Sequence, residues 1–119
     1  MTFEEKYGDM SSEIYYDNLI IVDEDLTSLI GCYKEVKGNF DCSYNKLTSL
    51  EFCPEIEGDL YCSNNKLTSL EFCPDINGNL YCQNNNINIS INKNKIFYKP
   101  KCKKIYYSES DKNEIKNEE

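Results

Sequence analysis

The chain predicts a repeat solenoid, a coil of parallel β-strands in which each turn stacks on the turn before it. Three observations carry this. Residues 46–63 read KLTSLEFCPEIEGDLYCS and residues 66–83 read KLTSLEFCPDINGNLYCQ, an offset of 20, and self-similarity at such a period marks stacked repeats. Aligned in columns, Val36, Ile56 and Ile76, then Gly38, Gly58 and Gly78, then Phe40, Leu60 and Leu80, then Cys42, Cys62 and Cys82 fall at every second residue. That alternation is the spacing of a strand with one buried face. Three residues after each of these cysteines stands an asparagine, Asn45, Asn65 or Asn85.

Each element of the unit follows from that frame. Twenty residues must complete one coil and return about 4.8 Å higher, the spacing between paired strands. Four or five of them are expected in the strand. Leu47, Leu67 and Ile87, with Leu50 and Leu70, continue the buried rows, and Phe52 with Phe72, then Pro54 with Pro74, close the unit. Proline lacks a backbone N–H and disfavours helix at the residue before it, so the back of the coil should be extended or polyproline-like. A buried asparagine carries both a donor and an acceptor, so Asn45, Asn65 and Asn85 are read as a structural ladder joining successive turns.

The segments LYCSNNKL at 60–67 and LYCQNNNI at 80–87 give the pattern L-x-C-x-x-N-x-L, which resembles the leucine-rich repeat consensus. The short period and the LTSL…CP segment resemble repeats of giant amoebal viruses and large phages. The likeness is close over residues 36–89 and looser over 17–35. It implies a leucine-rich repeat solenoid, by convention of the α/β horseshoe class, with parallel strands on a concave face and little or no helix behind. It also implies a recognition role and a viral protein.

The repeats read as one domain over residues 1–107. DLTSLIGCYKEVKG at 25–38 is the same unit with one extra residue, so an offset of 21 puts Leu19 and Ile21 in strand columns and Glu24 where asparagine belongs. Terminal repeats are often atypical in this way. Residues 1–16 are expected to cap one end, 17–89 to form the repeats, and 90–107, with IFYKPKCKKIYY at 96–107, to cap the other with one or two strands. The last stretch, SESDKNEIKNEE from 108, is too polar to bury a face and is expected to be disordered. No charged start followed by an apolar core is present, and no run long enough to span a bilayer. The expected location is therefore intracellular and cytoplasmic.

Seven cysteines in 119 residues invite a metal or disulfide reading. Their spacing instead follows the repeat, with Cys42, Cys62 and Cys82 in one column, Cys32, Cys53 and Cys73 in another, and Cys102 apart. With no histidine and no CxxC pair, neither a metal site nor a cofactor is expected. The cysteines read as small buried hydrophobes.

Net charge is −8, unevenly placed: residues 1–92 carry 16 acids and 5 lysines, while 93–104 carry six lysines and no acid. Those six, Lys93, Lys95, Lys99, Lys101, Lys103 and Lys104, could touch an anionic polymer. Against nucleic acid as the main partner stands the absence of arginine, the side chain best suited to forked phosphate and base contacts. Such lysines also keep a strand edge soluble. The abundance of Asn, Lys, Ile and Tyr fits an AT-rich genome, which accords with the viral resemblance.

The residues alternating with the buried columns define the candidate surface. Asp41, Tyr44, Asp59, Tyr61, Asn64, Tyr81, Gln83 and Asn84 are its expected partner-binding residues. Tyrosine among Ser and Asn makes an adaptable binding surface at low entropic cost. The expected function is a non-enzymatic protein–protein interaction module. One alternative is a structural or self-associating viral building block, with oligomerisation through the caps. Another is weak binding of an anionic polymer through the lysine patch. An enzyme is not expected, since there is no histidine, no Gly-rich phosphate loop and no nucleophile beside a base.

Overall fold

The first three coils each carry two very short strands paired in register, and the fourth carries one, with an isolated bridge at Ile76 in place of the other. The computed structural model describes residues 1–87 and 100–108. Within these, β1 (Ile14–Tyr15), β3 (Glu35–Val36) and β5 (Glu55–Ile56) form a three-stranded sheet. A second, five-stranded sheet runs β2 (Leu19–Ile20), β4 (Phe40–Asp41), β6 (Leu60–Tyr61), β7 (Leu80–Tyr81) and β8 (Ile105–Tyr106), in that order. Every pairing is parallel. The molecule is thus a parallel-strand β-solenoid of about three full turns with a repeat near 20 residues.

One strand of four or five residues per coil is replaced by two strands of two, and the cause lies between them. Asn18 Oδ1 accepts the N–H of Asn39 at 2.8 Å, Asn39 Oδ1 that of Asp59 at 2.8 Å, and Asp59 Oδ1 that of Asn79 at 2.7 Å. Side-chain oxygens here take bonds that strand carbonyls would otherwise accept, and the chain turns a corner. Gly58 and Gly78 lie directly above this row of oxygens. A Cβ at Gly58 would overlap Asn39 Oδ1, and one at Gly78 would overlap Asp59 Oδ1. The glycine column is required by close approach of the neighbouring coil.

The core is a stack of rows. Phe40, Leu60 and Leu80 are fully buried in one row, Cys42, Cys62 and Cys82 in the next, and Leu47, Leu50, Leu67 and Leu70 line the return arc. Register holds as the spacing predicts, with Leu19 opposite Phe40, Phe40 opposite Leu60, and Leu60 opposite Leu80. The offset of 21 between Leu19 and Phe40 is accommodated without a break. Phe52 and Phe72 depart from the buried rows: they stay 50% and 53% exposed and take left-handed backbone, φ 70° at each. In the first coil the same column holds Gly31, φ 87°.

The back of each coil holds no helix among the described residues; it is irregular chain with a turn at Ile30–Gly31, Glu51–Phe52 and Glu71–Phe72. The one described helix is α1 (Phe3–Tyr7), at the amino-terminal end. Thr2 caps it, accepting from the Glu5 N–H, while the Glu5 carboxylate accepts from the Thr2 N–H. This reciprocal box satisfies two of the free donors of a helix start. Residues 1–10 then lie against the first return arc through Thr27 N–H to Met1, Phe3 N–H to Ser28, Glu4 N–H to Ile30 and Met10 N–H to Gly31. Phe3 is buried in the core.

Residues 100–107, expected to form a cap of one or two strands, supply β8, which continues the ladder one rung beyond β7. The expected disordered tail beyond Ser108, and Lys93, Lys95 and Lys99 of the lysine patch, lie outside the described residues, as does the expected start of the cap at 90.

Candidate functional site

The five-stranded sheet carries its outward residues in one straight column. Strand register places Ile20, Asp41, Tyr61, Tyr81 and Tyr106 successively opposite one another. Tyr61 and Tyr81 stack with centroids 4.6 Å apart and planes 3° apart; Tyr81 and Tyr106 stack at 4.7 Å and 4°. These separations equal the strand spacing, so the sheet itself sets the ring-to-ring distance. Both faces of Tyr81 are therefore covered, and the ladder offers partners its ring edges and hydroxyls.

The hydroxyls are held from the side. Tyr61 Oη donates to Asp59 Oδ2 at 3.3 Å, and Asn79 Nδ2 donates to Tyr81 Oη at 3.4 Å. Burial beside the ladder, reinforced by the Asp59 charge, raises the Tyr61 hydroxyl pKa. Asp59 thus spends both oxygens within the fold, one on the Asn79 N–H and one on Tyr61. Asp41 accepts the Ser43 N–H at 3.0 Å. Ser63 donates to Gln83 Oε1 at 2.9 Å across adjacent coils.

Tyr44, Asn64 and Asn84 stand at the rim where the chain turns inward. All three have left-handed backbone, with φ of 58°, 56° and 56°. Asparagine tolerates that conformation well, which accounts locally for Asn64 and Asn84. Tyr44 holds it without that advantage and is 60% exposed. Of the eight expected surface residues, Tyr44 and Asn84 are exposed and the other six are partly buried.

Beneath this face the asparagine ladder forms as the residue type predicts. Asn65 Oδ1 accepts the Leu47 N–H at 3.0 Å, while its Nδ2 donates to the carbonyls of Cys42 at 3.0 Å and Cys62 at 3.2 Å. Asn85 repeats this with Leu67, Cys62 and Cys82. Asn45 does so with Leu26, Ile21 and Cys42. Each asparagine bridges its own turn to the preceding one. Glu24, which occupies this column in the first coil, instead pairs with Lys6 Nζ at 2.9 Å. The departure from asparagine there ties α1 to the first coil.

Sequence reasoning missed Tyr106, which joins the ladder because β8 pairs with β7 at an offset of 25, a spacing no repeat pattern announces. It placed Asp59 on the surface without its bonds to the Asn79 N–H and the Tyr61 hydroxyl. Cys32, Cys42, Cys53 and Cys62 are held as free thiols. Burial pushes Cys32 and Cys73 up to about 12, and Cys42 and Cys62 well above the ordinary thiol range. Among the described residues no group of three or more Cys, Asp or Glu is placed to hold a metal ion, and no helix is long and apolar enough to cross a membrane.

The fold and face together define a repeat protein of the parallel-strand solenoid class, with an ordered aromatic column on one open sheet. Comparison with known proteins returns no matching family, no matching curated protein and no matching solved structure.

Proposed function

We propose that the chain is a leucine-rich-repeat-type recognition module that binds a protein partner through the open face of the five-stranded sheet. The observation that carries this is the unbroken Tyr61–Tyr81–Tyr106 stack, bordered by Asp41 and Asp59 and rimmed by exposed Tyr44. Stacked rings give a rigid contact area whose conformational entropy is already lost, the preorganisation that raises affinity. With both faces of Tyr81 covered, its positively polarised ring edge is what it offers, suiting carbonyl oxygens or aromatic faces of a partner. The asparagine ladder supports the leucine-rich reading, because that residue performs the turn-to-turn bridging the consensus pattern implies. A viral, intracellular setting accords with the sequence resemblance.

The test is affinity capture from the native host's lysate with the parent chain and with Tyr61→Ala plus Tyr81→Ala. Loss of the captured protein, with the far-ultraviolet spectrum unchanged, is the expected result. Equal capture by the double variant would sink the assignment of this face.

A further inference from the structure

The five-stranded sheet begins on an edge that the fold leaves open. β2 pairs with β4 alone, and the residues that flank it in the chain, 1–25, are all described. Leu19 donates its N–H to Asn39 and Ile21 donates its own to Asp41. The alternation of a strand turns the Ile20 N–H and the Asn18 and Ile20 carbonyls to the opposite side. Among the described residues nothing bonds these three groups, and Ile20 is 69% exposed. Residues 1–10 lie against the return arc, with the Phe3 N–H on Ser28 and the Met10 N–H on Gly31, and β1 lies against β3. Neither runs along β2.

Beside this edge lies a hollow of about 250 Å³, lined by Phe3, Tyr7, Met10, Leu19 and Tyr33. Its place in the stack accounts for it. Phe40, Leu60 and Leu80 each have a rung on both sides and are fully buried, whereas Leu19 of the same row has a rung on one side only. Phe40 is absent from the lining, so the hollow stands on the uncovered side of Leu19, where the next member of the row would fall. The surroundings are acidic. Residues 1–25 hold eight acids and one lysine, and that lysine, Lys6, is paired with Glu24 at 2.9 Å. Asp17 and Asp23 flank β2 in the chain and are exposed. Two such edges repel each other, which disfavours a second copy meeting edge to edge and favours a basic strand.

We propose that β2 takes up an extended peptide of alternating basic and apolar residues from a partner protein, which adds to the sheet as a further strand. The Ile20 N–H gives one backbone hydrogen bond to it, and the Asn18 and Ile20 carbonyls accept two. An apolar side chain of the added strand falls beside Leu19 and fills the hollow. Its neighbours in the peptide face outward and carry lysine or arginine past Asp17 and Asp23. Backbone pairing supplies affinity in such a site, and the pocket for one alternate side chain supplies selection. The edge lies two strands from Tyr61 in the sheet, so this inference goes beyond the reading of the open face and stands without it.

The probe is a fluorescein-labelled peptide, KVKFKVK, followed by fluorescence anisotropy as the full chain is added up to about 1 mM. Saturable binding that weakens as salt rises is expected. Three control peptides separate the contributions: EVEFEVE reverses the charge, KGKGKGK keeps it without an anchor, and KVKFKVK N-methylated throughout has no backbone N–H to give. Each should bind weaker by about tenfold or more. Ile20→Pro deletes an N–H that bonds nothing within the fold, at a position where an edge strand tolerates proline. It should lose about tenfold, while Ile20→Thr, which keeps the N–H, should stay within about twofold of the parent. Asp17→Asn with Asp23→Asn should weaken the lysine probe about fivefold. Circular dichroism checks each fold, and the N-methylated peptide decides the matter should Ile20→Pro not fold. A parent that does not bind the probe overturns the proposal, as does equal binding of the N-methylated or glycine peptide, or equal binding by folded Ile20→Pro. So does a parent that self-associates in sedimentation and loses that association in Ile20→Pro, since a second copy then holds the edge.

Discussion

Asn39 Oδ1 accepts the backbone N–H of Asp59 at 2.8 Å, directly over the α-carbon of Gly58. The residue that bonds and the residue that makes room for the bond lie on successive coils, so neither can change alone. Gly58→Ala is expected to lower stability by about 1–3 kcal/mol, the range for overpacking and for an unmet buried polar group. Urea midpoints of Gly58→Ala and the parent measure the loss. A Gly58→Ala midpoint equal to the parent's would remove close approach as the reason for the column.

Asn65 serves four backbone groups on two coils. Asn65→Ala orphans the buried Leu47 N–H, while the Cys42 and Cys62 carbonyls keep Asn45 and Asn85 as donors, and a loss of about 1–3 kcal/mol is expected. Asn65→Asp keeps the acceptor but sets its second carboxylate oxygen against the Cys42 and Cys62 carbonyls in a buried place, so it should cost at least as much as alanine. Thermal melts of the three proteins give the order, and an unchanged melting temperature for the alanine variant would count against the ladder.

Phe52 and Phe72 hold left-handed backbone while half exposed. A side chain in that region costs about 1–2 kcal/mol, which glycine avoids while adding freedom to the unfolded chain. Phe52→Gly should therefore leave stability within about 1 kcal/mol of the parent or raise it. Phe40→Ala, at a fully buried position of the strand row, should cost about 3–5 kcal/mol. A Phe52→Gly loss as large as that of Phe40→Ala would place Phe52 in the core after all.

Burial raises the thiol pKa of Cys32 and Cys73 from about 9 to about 12. A group whose folded pKa is raised binds its proton more tightly in the folded state, so its contribution is intact below about pH 9 and lost as pH climbs toward 12. Stability should thus be flat in this respect from pH 7 to 9 and fall above it. Urea midpoints taken at intervals of pH measure the slope. At pH 8 the buried thiols of the folded protein should react slowly with a thiol reagent, and all seven should react once it is unfolded. Rapid labelling of Cys42 or Cys62 in the folded chain would contradict their burial.

How far the sequence carried the fold depends on whether a residue type has one physical use. Leucine and cysteine in alternation can do little but face a core, so the buried rows and their register were legible from Phe40 through Leu80. Asparagine three residues after a buried cysteine has few alternatives to bridging turns, and it does so. Asp59 was ambiguous, because a carboxylate beside a strand can face a partner or a backbone N–H; here it takes the Asn79 N–H and the Tyr61 hydroxyl. Phe52 was misleading as a closing member of the unit, because its exposure follows from a left-handed turn that aromatic character does not signal. The Thr2–Glu5 spacing was a helix start in plain sight, yet only five residues follow before Gly8 ends it. Tyr106 entered the ladder through tertiary pairing alone.

The bonds that join the second coil to the third are the same in kind as those that join the third to the fourth: the asparagine bridge, the polar row over glycine, and the arc contacts of Lys66 and Asn86. An interior unit is consequently interchangeable with its neighbour. Copying residues 46–65 in tandem would lengthen the rod by a single rung of about 4.8 Å, leaving both termini with the neighbours they have now. Growth by whole twenties is thereby open to this chain.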